Sequence, residues 1–366
     1  MKVLFVIPRM GGGGAERVTS LLANALSSKG NQVYIHTMVG GESFYPLSPK
    51  IVYSSADAQV NRRNKLTAAF SQMIHLPRSF FSIRRLIKRR CFDIVISFLV
   101  AADILVWLCS CSGLRFHHVC SERYEPMIRS PGQLRLLQRI YQKCDLLVCQ
   151  SKRVAEFYSM VPEKRKTVIP NPVDPTLIPA RVAVVHHRVV AVGRLDSQKN
   201  FALLIDSIAD VKTKLKEVTL DIYGEGPQRM ELQEMIDRLG LAHCVTLQGV
   251  SSDLLRQIAN AALFVMSSDH EGFPNALLEA MAIGLPVIST DFPTGVAREL
   301  IGAENGVVIS VGDRKGLSDA IYSILSDPEQ QLTMGKANRQ KTEAFYIDRI
   351  IDLWIDALEI VLSRET

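Results

Sequence analysis

The sequence of 366 residues lacks the paired cysteines and the clustered acids on which most disulfide and metal sites depend. Its seven cysteines stand at positions 91, 109, 111, 120, 144, 149 and 244. No two of them form a Cys-x-x-Cys pair, and an odd, scattered set predicts reduced thiols in the core of a cytosolic protein. No Asp-x-Asp motif occurs, and no histidine or cysteine cluster has ligand spacing, so we expect no bound metal and no cofactor.

The sequence also has no low-complexity tract, no internal repeat and no obvious membrane span. Residues 1–14 (MKVLFVIPRMGGGG) lack the apolar core and the cleavage site of a signal peptide, and they predict a buried strand that runs into a loop. The one stretch that is long and apolar enough to consider as a span, 94–111, carries Asp103 in its middle. We interpret it as a buried strand followed by the start of a buried helix.

Charge is distributed unevenly along the chain. Residues 1–175 contain 25 Lys and Arg against 11 Asp and Glu, whereas residues 176–366 contain 18 against 26. Part of the basic excess lies in RSFFSIRRLIKRR at 78–90, where apolar and basic residues interleave. Such an amphipathic stretch indicates either an anionic membrane surface as partner or a solvated helix face. No recognition motif supports nucleic-acid binding.

Both halves of the chain alternate short apolar runs with segments of helical period, which is typical of parallel α/β sheets. The first half opens with the strand KVLFVI, a glycine loop, a helix that ends at Gly30 and the strand QVYIHT. The second half repeats this order with the apolar runs RVVAVG, VTLDIY, CVTLQ, LFVM and PVIST. Four prolines in 169–179 predict a linker between the halves.

We therefore predict an α/β protein with two doubly wound, Rossmann-like domains that face each other across a cleft. The first domain is expected over 1–178 and the second over 179–345. Residues 346–366 are expected to form an amphipathic helix that packs back on the first domain. Ligands of this architecture bind at the carboxyl ends of the strands. Every loop described below follows a strand, so we expect all of them to border the cleft.

Two of these loops have residues that suit a phosphorylated ligand. In PRMGGGGAER (8–17), glycines between a strand and a helix let the backbone approach a phosphate, although a plain tight turn has the same pattern. An NAD site would need an acid after the second strand, and none occurs there before Glu42. In VGRLDSQKN (192–200), Arg194 and Lys199 stand on a strand-to-helix turn where two cations could bind a diphosphate or simply be solvated.

The third loop, SSDHEGFPNALLEAMAIG (267–284), places Glu271 before an apolar helix and Glu279 one turn inside it. The Pro-Asn pair suits the start of this helix, which we predict over 276–283. Two glutamates separated by about 8–10 Å could hold two different hydroxyl groups of one ligand. The alternative is a capped helix with solvated acids, but so apolar a segment is an unusual place for an exposed glutamate.

In this order and spacing, GGGGAER, VGRLDSQKN, YGEGPQ and EGFPNALLEAM resemble retaining GT-B glycosyltransferases of family 4. The similarity covers nearly the whole chain, and the Glu-x7-Glu element together with the Arg194/Lys199 pair is specific. The segments GGGGAERV, SERYEP (121–126) and STDFPTGVAREL (289–300) are similar to one subgroup. That subgroup builds bacterial exopolysaccharide, capsule and O-antigen (lipopolysaccharide) repeat units, and it includes amylovoran galactosyltransferases.

The resemblance implies roles for the matching positions. Arg194 and Lys199 would bind the donor diphosphate and support catalysis. Glu271 would contact the donor sugar and act as a catalytic residue, and Glu279 would contact the ribose hydroxyls. The other donor-binding positions would be Gly13, Gly14, Gly224, Gly226, Gly249, Val250, Gly272, Phe273, Pro274, Asn275 and Ala276.

The first domain departs from the family pattern at one place. Many members have a histidine near the reacting carbon, and the equivalent segment here is Ser121-Glu122-Arg123-Tyr124. Arg123 then takes the place of the histidine, and we expect Glu122 or Arg123 to line the acceptor side as catalytic candidates.

The function expected from the resemblance is metal-independent, retaining transfer of a hexose, galactose or N-acetylgalactosamine, from a UDP-sugar to a lipid-linked oligosaccharide. We expect a cytoplasmic enzyme that is peripheral on the inner membrane through its basic first domain. A nucleotide-sugar epimerase or phosphorylase on the same fold is the alternative enzyme. A sugar-binding receptor and an NAD dehydrogenase are the alternatives from other classes.

Overall fold

The structure is a computed structural model that describes residues 1–56, 65–182 and 184–364, and for 65–75 only the helical backbone. The chain divides into two compact units, one of residues 1–172 with 347–366 and the other of residues 173–346. The first unit therefore ends at Pro172 and not at the predicted 178. Val173 already belongs to the second unit, because its N–H donates to the Phe345 carbonyl at 2.8 Å.

The described part of the first unit is a parallel sheet with helices between its strands. Its elements are β1 (Lys2–Ile7), α1 (Gly14–Ser28), β2 (Gln32–Thr37), β3 (Val52–Ser55), α2 (Lys65–Arg90), β4 (Ile94–Phe98), α3 (Val100–Cys111), β5 (His117–Ser121), α4 (Pro131–Tyr141), β6 (Leu146–Cys149), α5 (Lys152–Phe157), β7 (Lys166–Val168) and the last helix, α13 (Ile347–Leu362). The strand order is β3-β2-β1-β4-β5-β6-β7. All neighbouring strands pair in parallel.

Alternate side chains of β1 enter two different hydrophobic clusters. Val3 and Phe5 pack with α1 and α13, whereas Leu4 and Val6 pack with α2 and α3. A central strand of a parallel sheet is buried on both faces, which explains the unbroken apolar run KVLFVI. The interpretation of 94–111 is confirmed, because this stretch forms β4 and then α3.

Helix α13 packs against α1 on one face of the first sheet. Its buried stripe consists of Ile350, Ile351, Trp354, Leu358 and Val361. Trp354 is 1% exposed and is among the largest fully buried side chains of the protein. All seven cysteines are free, and only Cys91 and Cys111 are exposed. Across the described residues, no helix combines the length and the apolar composition that crossing a membrane requires.

The second unit repeats the alternation of strands and helices. Its described elements are β8 (Val185–Val192), α6 (Phe201–Lys214), β9 (Thr219–Tyr223), α7 (Arg229–Arg238), β10 (Val245–Gly249), α8 (Leu254–Ile258), β11 (Ala261–Met266), α9 (Asn275–Ile283), β12 (Val287–Thr290), α10 (Val296–Leu300), β13 (Gly306–Ile309), α11 (Arg314–Leu325) and α12 (Pro328–Thr342). The strands pair in parallel in the order β10-β9-β8-β11-β12-β13.

The order of the strands brings the predicted site loops of this unit to one edge of its sheet. The loops after β10, β9, β8 and β11 all leave from carboxyl ends, and these four strands are consecutive neighbours. Loops that are far apart in the sequence, at 193–200, 224–226, 249–250 and 267–275, therefore start side by side.

Replacing Trp354 by alanine should destabilise the protein by about 3–5 kcal/mol, because it removes a fully buried indole from the core under α1. Leu353 is the preceding residue on the same helix and is 47% exposed. Its replacement by alanine should change stability by less than about 0.5 kcal/mol. Urea unfolding followed by far-UV circular dichroism measures both. Equal midpoints for the two variants would contradict the packing of α13 described above.

Candidate functional site

The turn after β8 and the loop after β11 are joined by a partly buried ion pair. Lys199 Nζ lies 2.5 Å from Glu271 Oε1, and the two side chains are 17% and 8% exposed. The Ser268 hydroxyl donates to the same carboxylate oxygen at 2.7 Å. Because β8 and β11 are adjacent, the two segments leave the sheet next to each other. Two residues predicted from separate motifs thus meet in one contact.

Further hydrogen bonds hold the same two segments together. The Asn200 side-chain amide donates to Asp269 Oδ1 at 2.7 Å, and the Asp269 N–H donates to the Gln198 carbonyl at 2.9 Å. Asn200 has φ +45° and accepts from the Leu203 N–H at 3.2 Å, so it both turns the chain and caps α6. The turn that carries Lys199 is therefore fixed from both sides.

Two predicted glycines have a packing role in the loop after β9. A Cβ at Gly224 would overlap the Gly193 carbonyl, and a Cβ at Gly226 would overlap the backbone of the turn after β8. Gly224 also has φ +143°, and its N–H donates to the Gly249 carbonyl at 2.8 Å. Val250 follows and is exposed. The three loops rest directly on one another, and their contact with a nucleotide stays a prediction.

Arg194 forms a separate ion pair on the same turn. Its guanidinium pairs with Asp196, and its side chain is 67% exposed. The Asp196 side chain is only 16% exposed, so the accessible partner of this pair is the guanidinium. Arg194 is thus open to an anionic ligand, while Lys199 is already held in place.

Helix α9 begins one residue earlier than predicted. Pro274 is the N-cap with ψ 87°, and Asn275 is the first helical residue and not the cap. Glu279 is buried on this helix, one turn from its start. The roles predicted for Gly272, Phe273, Pro274, Asn275 and Ala276 are those of backbone groups at the amino end of α9, and they stay predictions.

The predicted glycines of the first unit stand at the amino end of α1. Gly13 is the N-cap and Gly14 the first helical residue. A Cβ at Gly13 would collide with the buried Glu16 carboxylate, which gives this glycine a packing reason. The other predicted donor-binding residues belong to the second unit. It stays a prediction that the two glycines of the first unit and the donor-binding residues of the second unit bind one ligand.

Glu122 is buried and enclosed by donors of the protein itself. One carboxylate oxygen accepts from Arg129 Nη2 at 2.5 Å and from the Tyr124 N–H at 3.0 Å. The other accepts from the hydroxyls of Tyr141 at 3.2 Å and Tyr158 at 2.7 Å. These contacts brace the loop after β5. Within the first unit, the carboxylate therefore serves structure, and its acceptor-side role stays a prediction.

Arg123 lies beside it and is also buried. Its Nε donates to the Ser121 hydroxyl at 2.7 Å, and the guanidinium stands 4.9 Å from the centre of the Phe98 ring. A second bond joins Arg123 to Asn171. Burial lowers the pKa of Arg123 to about 9. Within the described residues, its Nη2 has no hydrogen-bond partner.

The first unit contains a cluster of buried polar side chains that the sequence analysis did not predict. Ligand atoms of Asp103, His118 and Cys120 lie within 4.8 Å of one another. Ser97 Oγ lies 2.5 Å from Asp103 Oδ1, 2.9 Å from His118 Nε2 and 3.8 Å from Cys120 Sγ. This hydroxyl connects the three side chains through hydrogen bonds. The residues come from β4, α3 and β5, so no local motif could reveal them.

Burial favours the uncharged forms of all three titratable groups of this cluster, Asp103, His118 and Cys120. Burial raises the pKa of Asp103 to about 8 and lowers that of His118 to about 3. The Ser97 hydroxyl donates to Asp103 Oδ1, and its oxygen can accept from the Nε2–H of a neutral His118. The network continues through Tyr141, whose hydroxyl oxygen lies 3.2 Å from both Asp103 Oδ2 and Glu122 Oε2 and can donate its single proton to either one. The cluster is thus a hydrogen-bond network behind the Glu122 loop.

Two family models match adjoining parts of the chain. The model described as Glycosyltransferase Family 4 matches residues 12–177, and the model described as Glycosyl transferases group 1 matches residues 186–341. The chain belongs to the group 1 and family 4 glycosyltransferases. The predicted resemblance to family 4 glycosyltransferases is confirmed, and with it the prediction that the protein is an enzyme.

Relatives of full length support the same conclusion. One relative is the Campylobacter jejuni enzyme N-acetylgalactosamine-N,N'-diacetylbacillosaminyl-diphospho-undecaprenol 4-alpha-N-acetylgalactosaminyltransferase. It is 28% identical to this glycosyltransferase, over 99% of this chain and 100% of the relative. A second transferase of that organism, an alpha-1,4-N-acetyl-D-galactosaminyltransferase named for a diNAcBac-PP-undecaprenol substrate, is 25% identical over 97% of each chain. The family therefore includes enzymes that act on lipid-linked sugars.

Solved structures establish the fold. Sucrose-phosphate synthase from Thermosynechococcus elongatus superposes with TM-score 0.82 at 20% identity, over 97% of this chain and 98% of that one. Anabaena Alr3699/HepE, solved with UDP and glucose, superposes with TM-score 0.79 at 19% identity, over 98% and 99%. The predicted GT-B class of two Rossmann-like units is confirmed.

The raised pKa of Asp103 predicts a pH-dependent stability. The folded protein keeps a proton on Asp103 up to a pH of about 8, whereas an unfolded carboxyl releases it near pH 4. Asp103 should therefore make stability fall between about pH 4 and 8, by up to about 1.4 kcal/mol per pH unit. Asp103→Asn cannot ionise and should lose this slope, whereas exposed Asp237→Asn should keep it. Urea unfolding at several pH values measures the slopes, and equal slopes in both variants would contradict the assignment.

Proposed function

We propose that this glycosyltransferase moves a hexose from a UDP-sugar to a lipid-linked oligosaccharide, with retention of the anomeric configuration and without a metal ion. The donor would bind at the edge of the second sheet where the loops after β8, β9, β10 and β11 start. The observation that carries this proposal is the ion pair of Lys199 and Glu271. It joins a cation that suits a diphosphate to a carboxylate that suits sugar hydroxyls.

The chemistry of transfer fits these side chains. Breaking the bond to the nucleotide leaves negative charge on the departing diphosphate, and that charge needs fixed donors and cations. Lys199 has three N–H donors, and the ion pair occupies only part of them, so its ammonium can bridge Glu271 and a phosphate. Arg194 on the same turn supplies a bidentate donor. The amino end of α9 adds backbone N–H groups and the positive end of its dipole.

The names of the relatives support the substrate class. Both Campylobacter enzymes are named as α-specific N-acetylgalactosaminyltransferases, and both names include undecaprenol. UDP-linked N-acetylgalactosamine or galactose is therefore the proposed donor. Formation of an α-linkage from an α-linked nucleotide sugar is retention of configuration. A lipopolysaccharide core transferase of Rhizobium meliloti, 32% identical over 51% of this chain, supports a role in surface polysaccharide synthesis.

The charge of the first unit supports peripheral binding to the anionic cytoplasmic face of the inner membrane. Helix α2 packs on α3, and α3 packs on α4. The sequences of these three helices contain nine Lys and Arg but a single acid, Asp103, which is buried. Phe81 is 65% exposed and lies one turn from Arg85. By contrast, α13, which packs with α1, has four acids and one arginine. We call the surface of α2, α3 and α4 the basic face.

The proposed reaction is tested with purified protein, a panel of UDP-sugars and extracted lipid-linked acceptors. We expect transfer, and a fall in kcat/KM of about 10²-fold or more in Arg194→Ala and Glu279→Ala, because both would contact the donor. Arg314→Ala is the matched control, since this exposed arginine pairs with Asp206 and Asp210 away from the site loops. Full activity of both site variants would contradict the proposed site, and turnover without acceptor would favour the epimerase.

Binding of the basic face to membranes is tested with lipid vesicles. The double reversal Arg85→Glu/Lys88→Glu should lower the partition coefficient for vesicles rich in anionic lipid by about tenfold or more. Lys315→Glu/Lys336→Glu changes the net charge equally on the second unit and should have little effect. Equal losses in the two doubles, or binding that does not depend on anionic lipid, would contradict the basic face as the docking surface.

A further inference from the structure

The carboxyl end of α9, the helix that carries Glu279, is held by side chains from two distant segments of the second unit. The carbonyl oxygens of three successive residues each accept one side-chain donor: Ile283 from Arg339 Nε at 2.9 Å, Gly284 from Arg181 Nη1 at 2.7 Å and Leu285 from Asn338 Nδ2 at 2.7 Å. We call Arg181, Asn338 and Arg339 the α9 clamp.

The backbone geometry at the end of α9 leaves these carbonyls accessible to side-chain donors. Gly284 has φ +89°, which turns the chain out of the helix, and the Leu285 N–H donates back to the Ala280 carbonyl at 3.0 Å. The carbonyls that follow therefore point outward, where the negative end of the helix dipole attracts cations. Two guanidinium groups meet there, although burial and the charge of Arg339 lower the pKa of Arg181.

Helix α12 comes closest to this end of α9 at Gly335. A Cβ at Gly335 would collide with the Gly284 carbonyl and with the Arg181 guanidinium. Asn338 is fully buried, donates to the Asn305 carbonyl at 2.8 Å and accepts from the Asn305 amide at 2.7 Å. The position of α12 relative to α9 is thus set by buried hydrogen bonds and by a glycine contact.

A displacement at this end would reach the proposed donor site. Helix α9 has nine residues, and Ile283 lies one turn beyond Glu279. A short helix moves as a rigid body, so a shift of its carboxyl end also shifts Glu279 and the N–H groups at its amino end. A misplacement of about 1 Å can reduce the rate of an enzyme by about a hundredfold.

We infer that the α9 clamp sets the position of α9 for donor binding, and that Arg181 and Arg339 are positioning residues for the transfer reaction. This inference rests on the proposed function, because it takes the amino end of α9 and Glu279 as donor contacts. Arg181 also donates to the Ala261 carbonyl at 3.3 Å, so the same guanidinium ties α9 to the start of β11. The loop with Glu271 follows that strand.

Arg181→Ala and Arg339→Ala test the inference. Each should raise the Kd for UDP, measured by isothermal titration calorimetry, and the KM for the UDP-sugar by about 5- to 30-fold. The KM for the acceptor should stay unchanged. Lys336→Ala is the matched control, because Lys336 is an exposed cation on α12 one turn before the clamp. It should bind UDP like the wild type. Arg339→Lys keeps the charge without the Nε donor, and it should give an intermediate increase.

The outcomes separate the clamp from the proposed function. Variants with a lowered Tm but with wild-type Kd and KM would overturn the inference, since the clamp would then serve folding alone. A wild-type protein that binds no uridine nucleotide would overturn the donor site itself, and the clamp with it. If an alanine variant does not fold, Arg339→Lys decides, because an unchanged Kd in that variant would also overturn the inference.

Discussion

The ion pair of Lys199 and Glu271 is the contact on which the proposed donor site depends. It joins two loops that are separated by about seventy residues but that leave adjacent parallel strands, β8 and β11. Because the pair is largely shielded from water, removing either partner would leave a charge in a poorly solvated place. The pair therefore keeps the ammonium and the carboxylate at fixed positions before a ligand arrives. Fixed charges of this kind stabilise a transition state without reorganisation.

The neighbouring features of the second unit extend this fixed arrangement. The loop after β9 lies on the turn after β8 through Gly224 and Gly226, where a side chain would not fit. Asn200 and Asp269 connect the turn to the loop after β11. The α9 clamp holds the next helix from its far end. Backbone packing and buried hydrogen bonds thus position the candidate donor contacts, whereas the Arg194 side chain is 67% exposed and pairs with Asp196 on its own turn.

Periodicity made the secondary structure predictable, and residue type made part of the site predictable. The run KVLFVI is apolar throughout because β1 is covered on both faces, and the stripe of α13 is apolar because it lies on α1. Lys199 and Glu271 could be found because each stands in a recognisable loop. Asp103 argued against a membrane span at 94–111, and the predicted buried strand and helix are both present there.

The partners of these residues could not be read from the sequence. Ser97, Asp103 and His118 come from three elements, and their hydrogen bonds exist only after the sheet has formed. Glu122 was predicted to line the acceptor side, but in the first unit its carboxylate is occupied by Arg129 and two tyrosines. Arg181 and Arg339 resemble ordinary surface cations, because nothing in their local sequence indicates the carbonyls that they bind.

The most direct test of the central claim is a double-mutant cycle on UDP-sugar affinity with Lys199→Met, Glu271→Gln and the double variant. Calorimetry gives the four binding free energies. If the ion pair is the core of the donor site, both single variants lose affinity and the losses are non-additive by about 1 kcal/mol or more. Wild-type affinity in both single variants, or strictly additive losses, would contradict the account.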